Sequence, residues 1–465
     1  MMRRMLRIGK WVLVVVGAAV IAVVLAALSA ALIALLVISS GIPARRAERR
    51  VKQAIADIAK TGAPVKLTQL AKPPIPDAEN AALVYQRAFQ ALRPSEGDKQ
   101  FVRDIRAGKS TLDDPTTAAR ARKLLQANAA ALRLIHRAAD VPQCDFRPDW
   151  NNGFNLTFPQ FPKLRTCSNL LSLETLVLAH DGRLDEALAG CAANLRLSSN
   201  AALEPWLIGV QVQYAVIKVT SDSLAATLKD SQPSPGACRS LAAQIAGMDT
   251  YKPYVDALKG ERAWGIAFFE QVRTSPNPFE TVSDRLSGET SAGRPQPRRA
   301  NRSSFPRWLF AADELTYLEL MEQVIGHTRL PYRKLARMHP SLEERLASLP
   351  RVPPRIMTAI LMPVYGRACI TRDRAIALLD LDRIALLLKT YRAQHGRYPE
   401  SLRDLAGPTG GALPLDTFSG GPFMYRRQGD GFLIYSWGPN LKDDGGVAPP
   451  PEDWQAGDIV IECGR

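Results

Sequence analysis

The chain is poor in the residues that usually carry chemistry. It has six cysteines and five histidines in 465 residues. Cys144, Cys167, Cys191, Cys238, Cys369 and Cys463 show no CxxC spacing, which excludes a disulfide-dense scaffold and argues against a structural metal site. His136, His180, His327, His339 and His395 are scattered, and none forms HExxH. GxSxG, the P-loop and GxGxxG are missing as well, so no enzyme class is marked by a motif. Only one apolar run is long enough to span a bilayer. Pro354–Val364 is apolar but short, and Pro354 and Pro363 interrupt it. The composition is otherwise average, 46% hydrophobic and 23% charged, which argues against wholesale disorder.

Acids are scarce in two places, and these hold most of the net charge of +15. Residues 1–52 carry nine Lys or Arg and one acid, Glu48, for +8. Arg294–Arg307 carries five arginines and no acid. The rest is nearly neutral, so a membrane rather than nucleic acid is the expected partner. The first cluster brackets Trp11–Ile38, 28 uncharged residues rich in Val, Ala, Leu and Ile. As a helix this run is roughly 42 Å long, against a hydrocarbon core of about 30 Å. A cleavable signal has a shorter apolar region, so an uncleaved anchor is expected. Four basic residues precede the span and five follow it, so the positive-inside comparison nearly cancels. A short basic start before a long remainder fits a signal anchor. That places the chain in the inner (cytoplasmic) membrane as a single-pass protein, with its bulk periplasmic.

The fold class expected is mainly α. It comprises a single N-terminal transmembrane helix, a helical-hairpin domain and a small C-terminal α+β pilin-like module. The divisions are a basic N-terminus (1–10), the span (11–38), a helical domain (44–272), a flexible basic loop (273–307), the helical domain continued (308–366) and the module (367–465). Residues 44–60 read as one helix, Asp77–Leu92 as another begun by an N-cap, and Asp114 to about Ala139 as a third. Residues 141–162 form an aromatic loop rich in Pro and Asn. Cys144 and Cys167 bracket it, and their spacing admits a disulfide or two buried thiols alike. Leu164–Ala179 and Leu184–Ser198 form a helical hairpin with Gly182 in the turn. The stretch GRLDEALAGCAANLRL resembles one tetratricopeptide hairpin, without a second copy at that period.

Helices follow at 205–230, 236–248 and 250–272, then from 308 to 329, 340–348 and 355–395. On the helix after residue 250, Glu261, Arg262 and Glu270 accompany Trp264, Phe268 and Phe269. They form either a buried ion pair across helices or a solvated face behind an aromatic stripe. Along Arg367–Gln394, Ile370, Ala377, Leu378, Leu381, Ile384, Leu388 and Tyr391 lie on one stripe, with Arg and Asp opposite. After Gly396, the runs PFMYRR, GFLIYSW and DIVIEC read as short antiparallel strands.

The last 80 residues or so carry a resemblance. LLLKTYRAQHGRYPESLRDL (386–405), PLDTFSGGPFMYR (414–426), FLIYSWGPNLKDDGG (432–446) and GDI (457–459) resemble the globular domain of bacterial type II secretion major pseudopilins. The region before the apolar run, RMLRIGKWVLVVVG, has no Glu after Gly9, where that family carries one in its processing signal. The whole chain resembles membrane-anchored helical bacterial proteins that carry this tail, a likeness that supplies no activity. The pseudopilin resemblance implies calcium in the last loop. Asn440, Asp443, Asp444 and Asp458 stand at the matching positions, and clustered oxygens on a Gly-rich loop suit that ion. Asp444-Gly445-Gly446 also reads as a plain turn. The function expected is an extracytoplasmic scaffold or protein-interaction protein of the bacterial cell envelope, beside a secretion system. The alternative is an envelope enzyme whose site is built from residues distant in sequence.

Overall fold

A computed structural model describes residues 42–93, 96–275, 308–348, 356–405, 412–450 and 453–464. The expected span at 11–38 and the Arg294–Arg307 run lie outside these residues. Among the described residues no helix is long and apolar enough to cross a membrane. The chain is mainly helical, and the described residues include a small three-stranded antiparallel sheet.

The helices are α1 (Ile42–Lys60), α2 (Ala81–Ala91), α3 (Glu96–Arg106), α4 (Pro115–Ala127), α5 (Ala129–Ala139), α6 (Gln160–His180) and α7 (Leu184–Ala201). They continue as α8 (Leu207–Leu228), α9 (Pro235–Ala246), α10 (Tyr251–Thr274), α11 (Trp308–Gly326), α12 (Tyr332–Leu335) and α13 (Leu342–Ser348). Last come α14 (Ile356–Leu361) and α15 (Pro363–His395). Three strands follow, β1 (Met424–Gln428), β2 (Gly431–Ser436) and β3 (Ile459–Cys463), paired in the order β1-β2-β3. Contacts divide the chain into two units. One comprises Met1–Gly62, Phe269–Leu318 and Arg351–Thr358; the other comprises Ala63–Phe268, Glu319–Pro350 and Ala359–Arg465.

In the larger unit α6, α7 and α8 pack on one another, with α2, α5 and α9 around them. The expected hairpin is there: Gly182 takes a positive φ of 77° in the turn, as a residue without a Cβ allows. The two helices approach closely because Gly190 of α7 has no side chain. A Cβ there would lie 2.6 Å from Thr175 Oγ1 of α6. α6 buries Leu164, Cys167, Leu171 and Thr175, so it runs through the core rather than over the surface. Cys144 and Cys167 are both buried free thiols, so the disulfide alternative does not hold.

Three expected helices start or break elsewhere. The helix read from Asp77 starts at Ala81, and Asp77–Glu79 is a 3-10 turn. Its cap is the buried Asn80, whose Oδ1 accepts from the amides of Ala82 and Asp145, each at 3.0 Å. A cap tied to two segments outcompetes an exposed Asp three residues earlier. The helix read from Asp114 breaks at Asn128, a buried residue. Its Oδ1 accepts the Arg93 amide at 2.8 Å, and its Nδ2 donates to the Leu124 carbonyl at 3.0 Å. The expected helix 355–395 breaks at Met362, just before Pro363.

α15 packs on α8, on α9 and on strands β2 and β3. Its apolar stripe is buried at Ala377, Leu378, Leu381, Ile384 and Leu388. The residues opposite are buried too: Arg372, Asp373, Asp382 and Lys389 are all at most 2% exposed. Arg372 is saturated. Its Nε donates to Asp373 Oδ1 at 2.7 Å, Nη2 donates to the Leu330 carbonyl at 2.8 Å, and Nη1 donates to the Thr328 carbonyl. Asp382 accepts from Ser221 Oγ of α8 at 2.9 Å, and burial pushes its carboxyl well above the usual range.

The aromatic loop is structural. Trp150 stacks on Trp206 at 6.0 Å, and Phe158 lies 5.1 Å from the same indole. Of the acids and Arg on α10, Arg262 is 2% exposed and pairs with the half-exposed Glu322, an ion pair across helices in which only the arginine is buried. Glu270 is exposed. Glu261 Oε1 accepts the Leu207 amide at 3.0 Å, which satisfies a backbone donor at the start of α8.

In the smaller unit Phe269 packs against Tyr317 at 5.5 Å, and Arg273 pairs with the buried Glu314 at 3.0 Å. Asp313 accepts from the amides of Met357 at 2.8 Å and Thr358 at 3.1 Å, holding the first turn of α14.

Candidate functional site

The four residues singled out by the sequence lie in and beside the loop between β2 and β3. Asp458 is buried, and both its oxygens accept backbone amides: Oδ1 that of Asp444 at 3.3 Å, Oδ2 that of Gly446 at 2.7 Å. Burial raises its carboxyl above the usual value, and these two amides oppose that. Asn440 Nδ2 donates to Asp444 Oδ2 at 2.6 Å. Asp443 Oδ1 accepts from Tyr435 Oη at 3.1 Å and from the Gly445 amide at 3.0 Å. The loop thus brings Asn440, Asp444 and Asp458 into one hydrogen-bonded chain, and ties Asp443 to β2. As placed, these carboxylates serve N–H and O–H donors. Among the described residues no group of three or more His, Cys, Asp or Glu is arranged to hold a metal ion. Calcium binding here therefore requires the loop to give up some of these bonds.

A cavity of about 400 Å³ adjoins the loop. α8 supplies Lys218, Ser221, Asp222 and Ala225; α15 supplies Arg374 and Leu378. Ile459, Val460 and Ile461 of β3 form another wall, with Pro449, Pro450 and Trp454 from the preceding loop. Lys218 and Asp222, four apart on α8, form an ion pair. Arg374 stands apart from it, its guanidinium carbon 5.0 Å from the Trp454 ring centroid. Arg374 Nε is buried and has no hydrogen-bond partner among the described residues. Burial pulls the Arg374 pKa down from its ordinary value, with Asp222 opposing. The sequence reading missed this arginine, because 80 residues separate it from Trp454 and a lone Arg on a helix reads as surface.

A second cavity, of about 260 Å³, is lined by Tyr254, His327, Tyr332, Tyr365, Cys369 and Arg372, among others. It brings together one histidine and no acid among the described residues that line it. Arg372, its cation, is held by Asp373 and two carbonyls, and its guanidinium lies 5.2 Å from the Tyr254 ring centroid. It is a structural ion pair at the cavity wall.

No family model, no curated protein and no solved structure matches this chain.

Proposed function

We propose that the chain is a membrane-anchored scaffold or protein-interaction protein of the bacterial cell envelope, its bulk on the periplasmic face of the inner membrane. The observation that carries this reading is the 28-residue uncharged run Trp11–Ile38 between Lys10 and Arg45. The interaction role draws support from the helical hairpins. It also draws on the 400 Å³ cavity, where an apolar lining is joined by the Lys218–Asp222 ion pair, Ser221, Asp458 and the Arg374 guanidinium. The pseudopilin-like tail, carried by the residues quoted above, suggests a partner in or beside a secretion system.

The test is a pull-down of the anchored chain from membranes, with and without residues 397–465, and identification of the captured proteins. The expected result is a reproducible set of envelope proteins that the truncated bait loses. If both baits recover only background, the interaction role fails.

A further inference from the structure

We propose that the cavity between α8 and the outer edge of β3 docks the end of an extended peptide, whose free carboxylate pairs with Arg374 while its backbone adds to β3 at Val460. This inference rests on the interaction reading and names the chemistry of the partner.

The first observation is the strand edge. Among the described residues β3 pairs with one strand, β2, on one side. On its other side the Asp458 amide donates to the Val447 carbonyl at 2.9 Å, and the Gly464 amide donates to the Lys229 carbonyl at 2.8 Å. In an antiparallel strand alternate residues direct their N–H and C=O to the same side. Val460 shares the parity of Asp458 and Gly464, so its amide and carbonyl face away from β2. Residues 459–461 line the cavity, so this edge borders the space rather than the packed core. Both ends of the edge are closed by those two hydrogen bonds, so only a short segment fits. Its natural form is the end of a chain.

The second observation is charge. Lys218 is paired with Asp222, which also acts on Arg374 through space, while the buried Arg374 Nε lacks an acceptor among the described residues. A guanidinium held against an indole and partly withdrawn from water is pre-set for a bidentate carboxylate. Asp458, the other acid on the wall, spends both oxygens on amides. Leu378, Ala225, Pro449 and Pro450 supply an apolar lining for the side chains of the last residues. Main-chain pairing would give affinity and these walls would give selectivity, as in strand addition generally.

The test uses the full chain in detergent micelles. It is applied to an array of tetrapeptides with free C-termini, covering all combinations of the last two residues. The best binder is then measured by fluorescence anisotropy. We expect amidation of its C-terminus, Arg374→Met and the cavity-filling Ala225→Phe each to weaken binding by at least about tenfold. Both variants should keep the wild-type circular dichroism and melting temperature. Binding that survives amidation or Arg374→Met overturns the proposal. So does an array on which no peptide exceeds the Arg374→Met background, including the case in which inorganic phosphate alone binds. Membrane partners that persist with Arg374→Met reject the groove and leave the interaction role standing. An intact chain that captures no partner rejects the role itself.

Discussion

At the scale of the residue, buried acids define how this chain responds to pH. Burial pushes Glu261 from its ordinary 4.5 up to about 7, against hydrogen bonds from the Leu207 amide and Tyr365. The folded chain therefore holds a proton that the unfolded chain has lost. The stability that this proton contributes is fully present below about pH 4.5 and is lost as pH rises through about 7. Asp380, also pushed up to about 7 by burial, acts in the same direction. Glu261→Gln keeps an oxygen for Leu207 and removes the titration. It should flatten the fall in stability between pH 4.5 and 7 by up to about 3 kcal/mol. Denaturation curves at both ends of that window check this; an unchanged slope would contradict it. Asp416 works through hydrogen bonds instead. It accepts from Phe418 and Ser419 amides, each at 3.0 Å, from Ser436 Oγ at 2.7 Å and from the Trp437 amide at 3.3 Å. Asp416→Ala leaves those donors buried and should cost about 2–4 kcal/mol, read by chemical denaturation. Little of this was legible in the sequence. Asp416 appeared only inside the run PLDTFSGGPFMYR, and Glu261 owes its behaviour to Leu207 and Tyr365, which are distant along the chain.

At the scale of the element, local signals succeeded where the cause was local. The α6–α7 hairpin was readable because Gly182 ends one helix and apolar periodicity restarts at Leu184. The three strands were readable because runs such as GFLIYSW lie between glycine-rich turns. The breaks at Asn128 and Met362, and the start at Asn80, were less readable, since buried asparagines bonded to distant backbone decide two of them. The charged side of α15 was read as opposite the core, yet Arg372, Asp373, Asp382 and Lys389 are all buried. Close packing gives a sharp prediction at Gly260 of α10. A Cβ there would lie 1.9 Å from the Pro205 carbonyl oxygen, a backbone atom that cannot swing aside. Gly260→Ala should destabilise by about 2–4 kcal/mol, measured as a lower melting temperature, despite the better helix propensity of alanine. The β2–β3 loop is tested with calcium. Closed by its own hydrogen bonds, it predicts that millimolar calcium leaves the melting temperature of the full chain unmoved. A rise of several degrees would show the loop reorganising around the ion.

At the scale of the whole molecule, charge distribution matters more than charge total. The +15 is concentrated beside the apolar run and in one acid-free stretch, and the remainder is near neutral in net charge. The anchor proposed at Trp11–Ile38 rests on length and absence of charge alone, and lies outside the described residues. The sequence was least informative about the groove, which α8, α15 and β3 assemble from residues far apart in the chain. The most direct test of anchoring and orientation is an alkaline carbonate wash of membranes carrying the full chain, followed by protease added to spheroplasts. The account predicts that the chain stays with the membrane, that deletion of residues 1–41 releases it, and that protease outside degrades the bulk of it. Release of the intact chain by carbonate, or protection of its bulk from external protease, would contradict the account.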